Sequence, residues 1–201
     1  MNYMAFHKQW HCHGCFTIDE VLAAHPEFDP TDIARWLDDG DIVSLDKQGL
    51  FAFSTWKNFP DSPLLFAGKI RRPSYISMQT ALGLHNIIAD FPKAFTCVTT
   101  DTACEISNLF GDYRYFSADD SHMYGYGKVT IMGDREINMA TPEKAVLDLL
   151  LFEPDAACRL KFDILRMIAI MNWRRLYRYA AAAGDEALNI RLEKFLRSIG
   201  L

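Results

Sequence analysis

Residues 16–53 read FTIDEVLAAHPEFDPTDIARWLDDGDIVSLDKQGLFAF. Thr17 followed by Glu20 has the spacing of a capping box, in which each side chain accepts a hydrogen bond from the other residue's backbone N–H. Phe16 and Val21 flank that cap as a hydrophobic staple, and Ile18, Val21 and Leu22 fall on one helical face. Pro26, after His25, ends the helix. Asp29 then caps a second helix, with Pro30 in its first position and Asp32 near the positive end of its dipole. Its buried stripe is Ile33, Trp36 and Leu37, its outer face Thr31, Arg35, Asp38 and Asp39, and Gly40 is its terminator. From Val43 the period becomes two: Val43 and Leu45 alternate, Asp46 to Gly49 turn, and Phe51 and Phe53 alternate again, which predicts a hairpin. Two short helices across a tight turn, followed by a hairpin, predict a winged helix-turn-helix domain over residues 1–55.

Residues 55–73, TWKNFPDSPLLFAGKIRRP, hold three prolines and no clean period. They predict a linker over residues 56–73, with one short element at Leu64–Ala67. A second, mixed α/β domain is expected over residues 74–201. Tyr75 and Ile76 read as a short strand and Ser77 as the cap of a helix carrying Ala81, Leu82, Leu84 and Ile88. Ala94–Thr100 and Tyr113–Phe116 read as strands, and Val129–Met132 with Glu136–Ala140 as a hairpin around Gly133 and Asp134. Thr141, Pro142 and Glu143 open a helix that buries Ala145, Leu147, Leu149 and Leu150. Asn172 caps a helix ending at Gly184, and another helix runs from about Glu186 to Ile199, before Gly200. The fold class is therefore α+β, an N-terminal winged helix-turn-helix followed by a mixed α/β domain that ends in helices.

Half of the 201 residues are hydrophobic and 13% are aromatic, which suits a packed core and excludes wholesale disorder. No apolar run reaches the ~18 residues of a membrane helix, and the first residues lack the basic and apolar stretches of a secretory signal. Five cysteines without framework spacing read as free thiols, so a cytoplasmic location is expected. Charge is uneven: residues 1–158 hold 12 Lys+Arg against 22 Asp+Glu, and residues 159–201 hold 9 against 4. Residues 1–55 contain Lys8, Arg35 and Lys47 against nine acids. Nonspecific DNA affinity comes mostly from Lys and Arg on phosphates, so this acidity favours, as the alternative, a winged helix that binds protein rather than DNA. In the tail, Arg174, Arg175 and Arg178 share one helical side, and Arg191, Lys194 and Arg197 another, either as a solvated face or as a docking surface.

Sites for chemistry are sparse. His7, His11, Cys12, His13 and Cys15 crowd together, but no second Cys/His pair follows at finger-like spacing, so no metal is expected. Cys97 or Cys104 with His85 or His122 would need a spatial coincidence to form a nucleophile. Asp119, Asp120 and His122 read as a solvated loop, and Gly125-x-Gly127 lacks the third glycine of a phosphate-binding fingerprint. Glu143, Lys144 and Asp148 are accounted for by dipole pairing and an i,i+4 contact. No catalytic residue and no cofactor is expected.

The order of segments resembles the AbiEi family of antitoxins and transcriptional regulators, found in bacterial abortive-infection toxin–antitoxin pairs. The resembling stretches are GCFTIDEVLA, DIARWLDDGDIVSLDKQGLFAF, SYISMQTALGLHNII, the run ending ATPEKAVLDLL, and the tail NWRRLYRYAAAAGDEALNIRLEKFLRSIGL. That resemblance implies a non-enzymatic protein whose winged helix represses its own operon, and whose C-terminal domain counteracts a nucleotidyltransferase-like toxin. The DNA-contacting residues are then expected among Thr31, Arg35, Lys47, Gln48, Arg71 and Arg72, with Lys57 and Lys69 as further cations available for phosphate contacts. The residues meeting the toxin are expected among Arg174, Arg175, Arg178, Arg191 and Lys194.

Overall fold

A computed structural model describes residues 1–201. The chain opens with α1 (Tyr3–Trp10), then β1 (Cys15–Thr17), α2 (Ile18–Ala24), α3 (Thr31–Asp38), β2 (Ile42–Ser44) and β3 (Leu50–Phe53). The capping box at Thr17 and Glu20 is formed, with Thr17 N donating to Glu20 Oε2 at 2.8 Å and Glu20 N to Thr17 Oγ1 at 3.2 Å. The second helix begins one residue later than the cap pattern predicts. Pro30 stands just outside it, and Asp29 Oδ1 accepts from both the N–H and the hydroxyl of Thr31. The three strands make one antiparallel sheet in the order β1-β3-β2. α1, which the sequence reading did not anticipate, closes this unit: Phe6 lies 4.8 Å from Trp36 and 5.1 Å from Phe16, ring centre to ring centre.

The segment expected to be a linker is mostly helical. A 3-10 turn covers Ser54–Asn58, and α4 spans Ser62–Ile70 with Leu64, Leu65, Phe66, Ala67 and Ile70 buried. Pro63 sits in the first turn, where its missing N–H costs nothing. The short element expected at Leu64–Ala67 is thus the middle of a longer helix. It is apolar on nearly every side because it lies between the N-terminal sheet and a second one.

That second sheet has six strands in the order β6-β7-β5-β4-β9-β8: β4 (Ser74–Ile76), β5 (Ala94–Thr99), β6 (Cys104–Asn108), β7 (Gly111–Ser117), β8 (Tyr126–Ile131) and β9 (Arg135–Ala140). The β8–β9 hairpin matches the expected one, while β6 was not foreseen; its partly exposed, polar-rich sequence suits an edge strand. Successive residues of a strand point to opposite faces. On β7, Tyr115 donates its hydroxyl to Ala67 O of α4, and Phe116 packs against Phe152. α4 therefore covers one face, and α6 (Pro142–Phe152) the other, beside α5 (Met78–Leu84). Four further helices follow: α7 (Pro154–Ala157), α8 (Ile164–Ile170), α9 (Trp173–Ala183) and α10 (Glu186–Ser198). Asn172 caps α9 through Arg175 N, and Gly184 ends it at φ 64°, where a side chain would be strained. α9 and α10 both pack on α6. The architecture is mixed α+β, and no helix is long and apolar enough to cross a membrane.

The N-terminal unit keeps its own sheet and contributes no strand to the larger one, yet the apolar core runs continuously through both. Trp56 meets Phe66 of α4, and Phe66 meets Phe110 at 4.5 Å. Asn108 of β6 donates to Leu45 O at 3.0 Å.

Candidate functional site

The outer face of α3 is as the periodicity requires: Thr31, Arg35, Asp38 and Asp39 are exposed, with Ile33 and Trp36 buried. Its electrostatics are unfavourable to a polyanion. Arg35 is tied to Asp32 within its own helix, Thr31 is bonded to Asp29, and Asp38 and Asp39 have no cation partner. Lys47 stands at the tip of the β2–β3 turn, exposed and unpaired, beside Gln48. Asp46 shapes that turn by accepting from the N–H groups of Gln48 and Leu50.

Arg71 and Arg72 are adjacent in the chain and serve different ends. The Arg71 guanidinium is only 13% exposed and lies 3.6 Å from both Asp46 and Asp101, with Gln48 Oε1 at 3.4 Å. It joins the turn of the small sheet to the loop after β5, so two carboxylates hold its charge. Arg72 is exposed and has no carboxylate partner. Lys69, half-buried on the last turn of α4, is likewise unpaired.

These residues line two adjoining cavities. The larger, about 670 Å³, runs between β1, the β2–β3 turn and the end of α4, and includes Cys15, Gln48, Lys69, Arg71 and Arg72. The second, about 510 Å³, shares Lys69 and Arg72 and continues to Lys128 and Asn138 on the β8–β9 hairpin. Burial pushes the Cys15 thiol up to about 11, with the positive charges of Lys69 and Arg72 pulling the other way.

The basic tail divides similarly. Arg174, Arg178 and Lys194 are exposed, the first two alongside half-exposed Tyr177 on α9. Arg175 leans back toward Glu143 at 3.8 Å, and Arg191 donates to Leu150 O at 3.3 Å. Those two arginines help dock α9 and α10 onto α6.

The feature that sequence reasoning undervalued is the start of α6. Glu143, Lys144 and Asp148 are 1%, 2% and 1% exposed. Lys144 Nζ lies 2.8 Å from Asp148 Oδ1 and 4.3 Å from the centre of the Tyr124 ring. Asp148 Oδ2 accepts from Ser77 Oγ at 2.6 Å and Tyr75 OH at 3.0 Å. The Ser77 hydroxyl thus serves Asp148 instead of capping α5 as expected. Burial pushes the Asp148 carboxyl up, and Lys144, Ser77 and Tyr75 act against that shift. Glu143 Oε1 accepts from Asn172 N at 2.6 Å, linking α6 to the cap of α9. None of these charged groups lines one of the principal cavities, so the cluster serves as an internal brace.

His7 on α1 and His11 in the 3-10 turn that follows it have tilted rings with centres 4.5 Å apart, and His11 stacks on Trp56. Burial, then the charge of His7, lowers the His11 pKa. No grouping of three metal-type ligands forms anywhere in the chain. Asp119, Asp120 and His122 lie in an exposed loop with a 3-10 turn, and Cys97 is buried away from any histidine bond. Neither protein-family models nor curated protein sequences match the chain.

Proposed function

We propose that the protein is a DNA-binding transcriptional regulator whose larger unit binds a second protein, in the manner of an AbiEi-type antitoxin. The observation that carries this reading is the order of the first six elements, α1-β1-α2-α3-β2-β3, with the sheet ordered β1-β3-β2. Read as a winged helix, it makes α3 the helix entering the major groove and Lys47 with Gln48 the wing. Arg35 is then the base-reading candidate and Lys47 a phosphate contact. Asp38 and Asp39 are compatible with base edges, where a carboxylate accepts from cytosine, but not with phosphates. In the tail, exposed Arg174, Arg178 and Lys194 support contact with an acidic partner, for which the resemblance names a nucleotidyltransferase-like toxin.

A salt-titrated gel shift on duplexes from the protein's own promoter tests the first half. Lys47→Ala should weaken binding on all sequences, while Arg35→Ala should relax the choice among them. Absence of any shift at low salt removes the repressor role. The second reading, a winged helix that binds only protein, is favoured by the unpaired Asp38 and Asp39, and predicts co-purification with the toxin and indifference to DNA. Charge reversal at Arg174, Arg178 and Lys194 should weaken that complex, and unchanged binding would move the interface elsewhere.

A further inference from the structure

An acidic reading helix needs its phosphate-binding charge from another part of the molecule. From the groove between the two sheets we infer that the end of α4 supplies it: Lys69 and Arg72 hold DNA backbone phosphates along a track from the wing turn toward the β8–β9 hairpin. This rests on the DNA-binding reading above and adds to Lys47 two phosphate contacts outside the N-terminal unit.

Three observations converge on these two side chains. Both line both cavities, which makes one continuous groove beginning at Gln48 beside the wing tip and ending at Lys128. Neither has a carboxylate partner, although the groove contains acids. Those acids are engaged: Asp46 and Asp101 by Arg71, Glu136 by Lys128 at 2.7 Å, and Glu20 by the Thr17 N–H. The formal charges of the lining balance, four cations against four acids, but Lys69 and Arg72 are the two cations that no carboxylate holds, with Arg71 acting as a clamp rather than a contact. Gly68, on the floor beside Lys69, has open space where a side chain would stand, so a strand of sugar–phosphate can approach the helix. Phosphate contacts orient a protein on a duplex and carry no base preference, which suits cations lying beside the wing and away from the reading helix.

The test is fluorescence anisotropy of the full chain with a promoter duplex and a scrambled duplex, titrated with salt. Each phosphate contact adds about one to the slope of log affinity against log salt. Lys69→Ala and Arg72→Ala should each reduce that slope by about one on both duplexes, and together by about two. Lys57→Ala, exposed but outside the groove, should leave it unchanged. All variants should melt with the wild type, since neither groove cation makes a structural bond. If wild-type protein binds and the slope of the double variant matches it, the groove does not carry phosphates, although the DNA-binding reading survives. If Lys57→Ala lowers the slope equally, the track is not localised and the inference falls. If wild-type protein binds neither duplex at low salt, both fail together.

Discussion

Lys144 and Asp148 form a charge pair that water does not reach. Removing one partner of such a pair strands the other in a low-dielectric interior, at a cost of about 3–5 kcal/mol, whereas replacing both with apolar groups of similar volume is far milder. Lys144→Met should therefore lower the melting temperature by roughly 10 °C, and Lys144→Met with Asp148→Leu should restore most of the loss, as read by calorimetry. Failure of the double variant to recover would mean that Ser77 and Tyr75 need the carboxylate as their acceptor. Cysteine reactivity separates by burial in the same way. Cys12 and Cys158 are exposed and should label readily at pH 8, while buried Cys97 should not, and half-buried Cys15 should lag because its thiol is pushed up to about 11. The folded thiol of Cys15 titrates near 11 against an ordinary 9.0. Its protonated form is the one the fold favours, so its contribution to stability is intact below pH 9 and lost as pH rises toward 11. A Cys15→Ala variant should show a shallower decline in melting temperature across that window. The i,i+4 spacing of Lys144 and Asp148 is visible in the chain. Their burial is not, because Tyr75 and Tyr124, which cover them, are distant in sequence.

Local signals located the helices that stand on their own capping. The box at Thr17 and Glu20 is realised bond for bond, and Thr17→Ala should cost about 1 kcal/mol, a fall of roughly 2–4 °C in a chain of this size. α9 and α10 likewise begin at the Asn172 and Asp185 caps and end beside glycines. Of α4 only the middle, Leu64–Ala67, is legible as a short element, because its signal is the absence of a period. A helix enclosed on nearly all sides has no polar face to reveal its pitch. Gly125 shows a comparable dependence on surroundings. Its φ is +73°, and a Cβ there would stand 2.8 Å from the Tyr179 ring and 3.0 Å from Lys144 Cβ. Gly125→Ala should destabilise more than Gly127→Ala, whose Cβ would meet nothing within 4 Å, and parallel chemical denaturation of the two variants measures the difference.

Across the molecule, the two sheets are held in register by α4 in the core and by Arg71 at the surface. Arg71→Ala should release the β2–β3 turn without melting the protein. Amides of Gln48 and Leu50, now fixed by Asp46, should exchange faster with deuterium, while those of β5 and β7 keep their protection. Uniform loosening of both units would show instead that Arg71 contributes to global stability. The same clamp explains why neighbouring arginines that look alike in sequence differ in availability: Arg71 is neutralised across the interface, and Arg72 points to no acid at all.

The α+β class, the capped helices, the β2–β3 and β8–β9 hairpins and the uneven charge follow from residues close together in the chain, since caps, turns and alternation are short-range physics. The pairing of strands into two sheets, the enclosure of α4, the interior brace on α6 and the division of the basic residues into structural and free were decided only when distant segments met. Burial and ion pairing depend on which surfaces come into contact, and no local spacing encodes that.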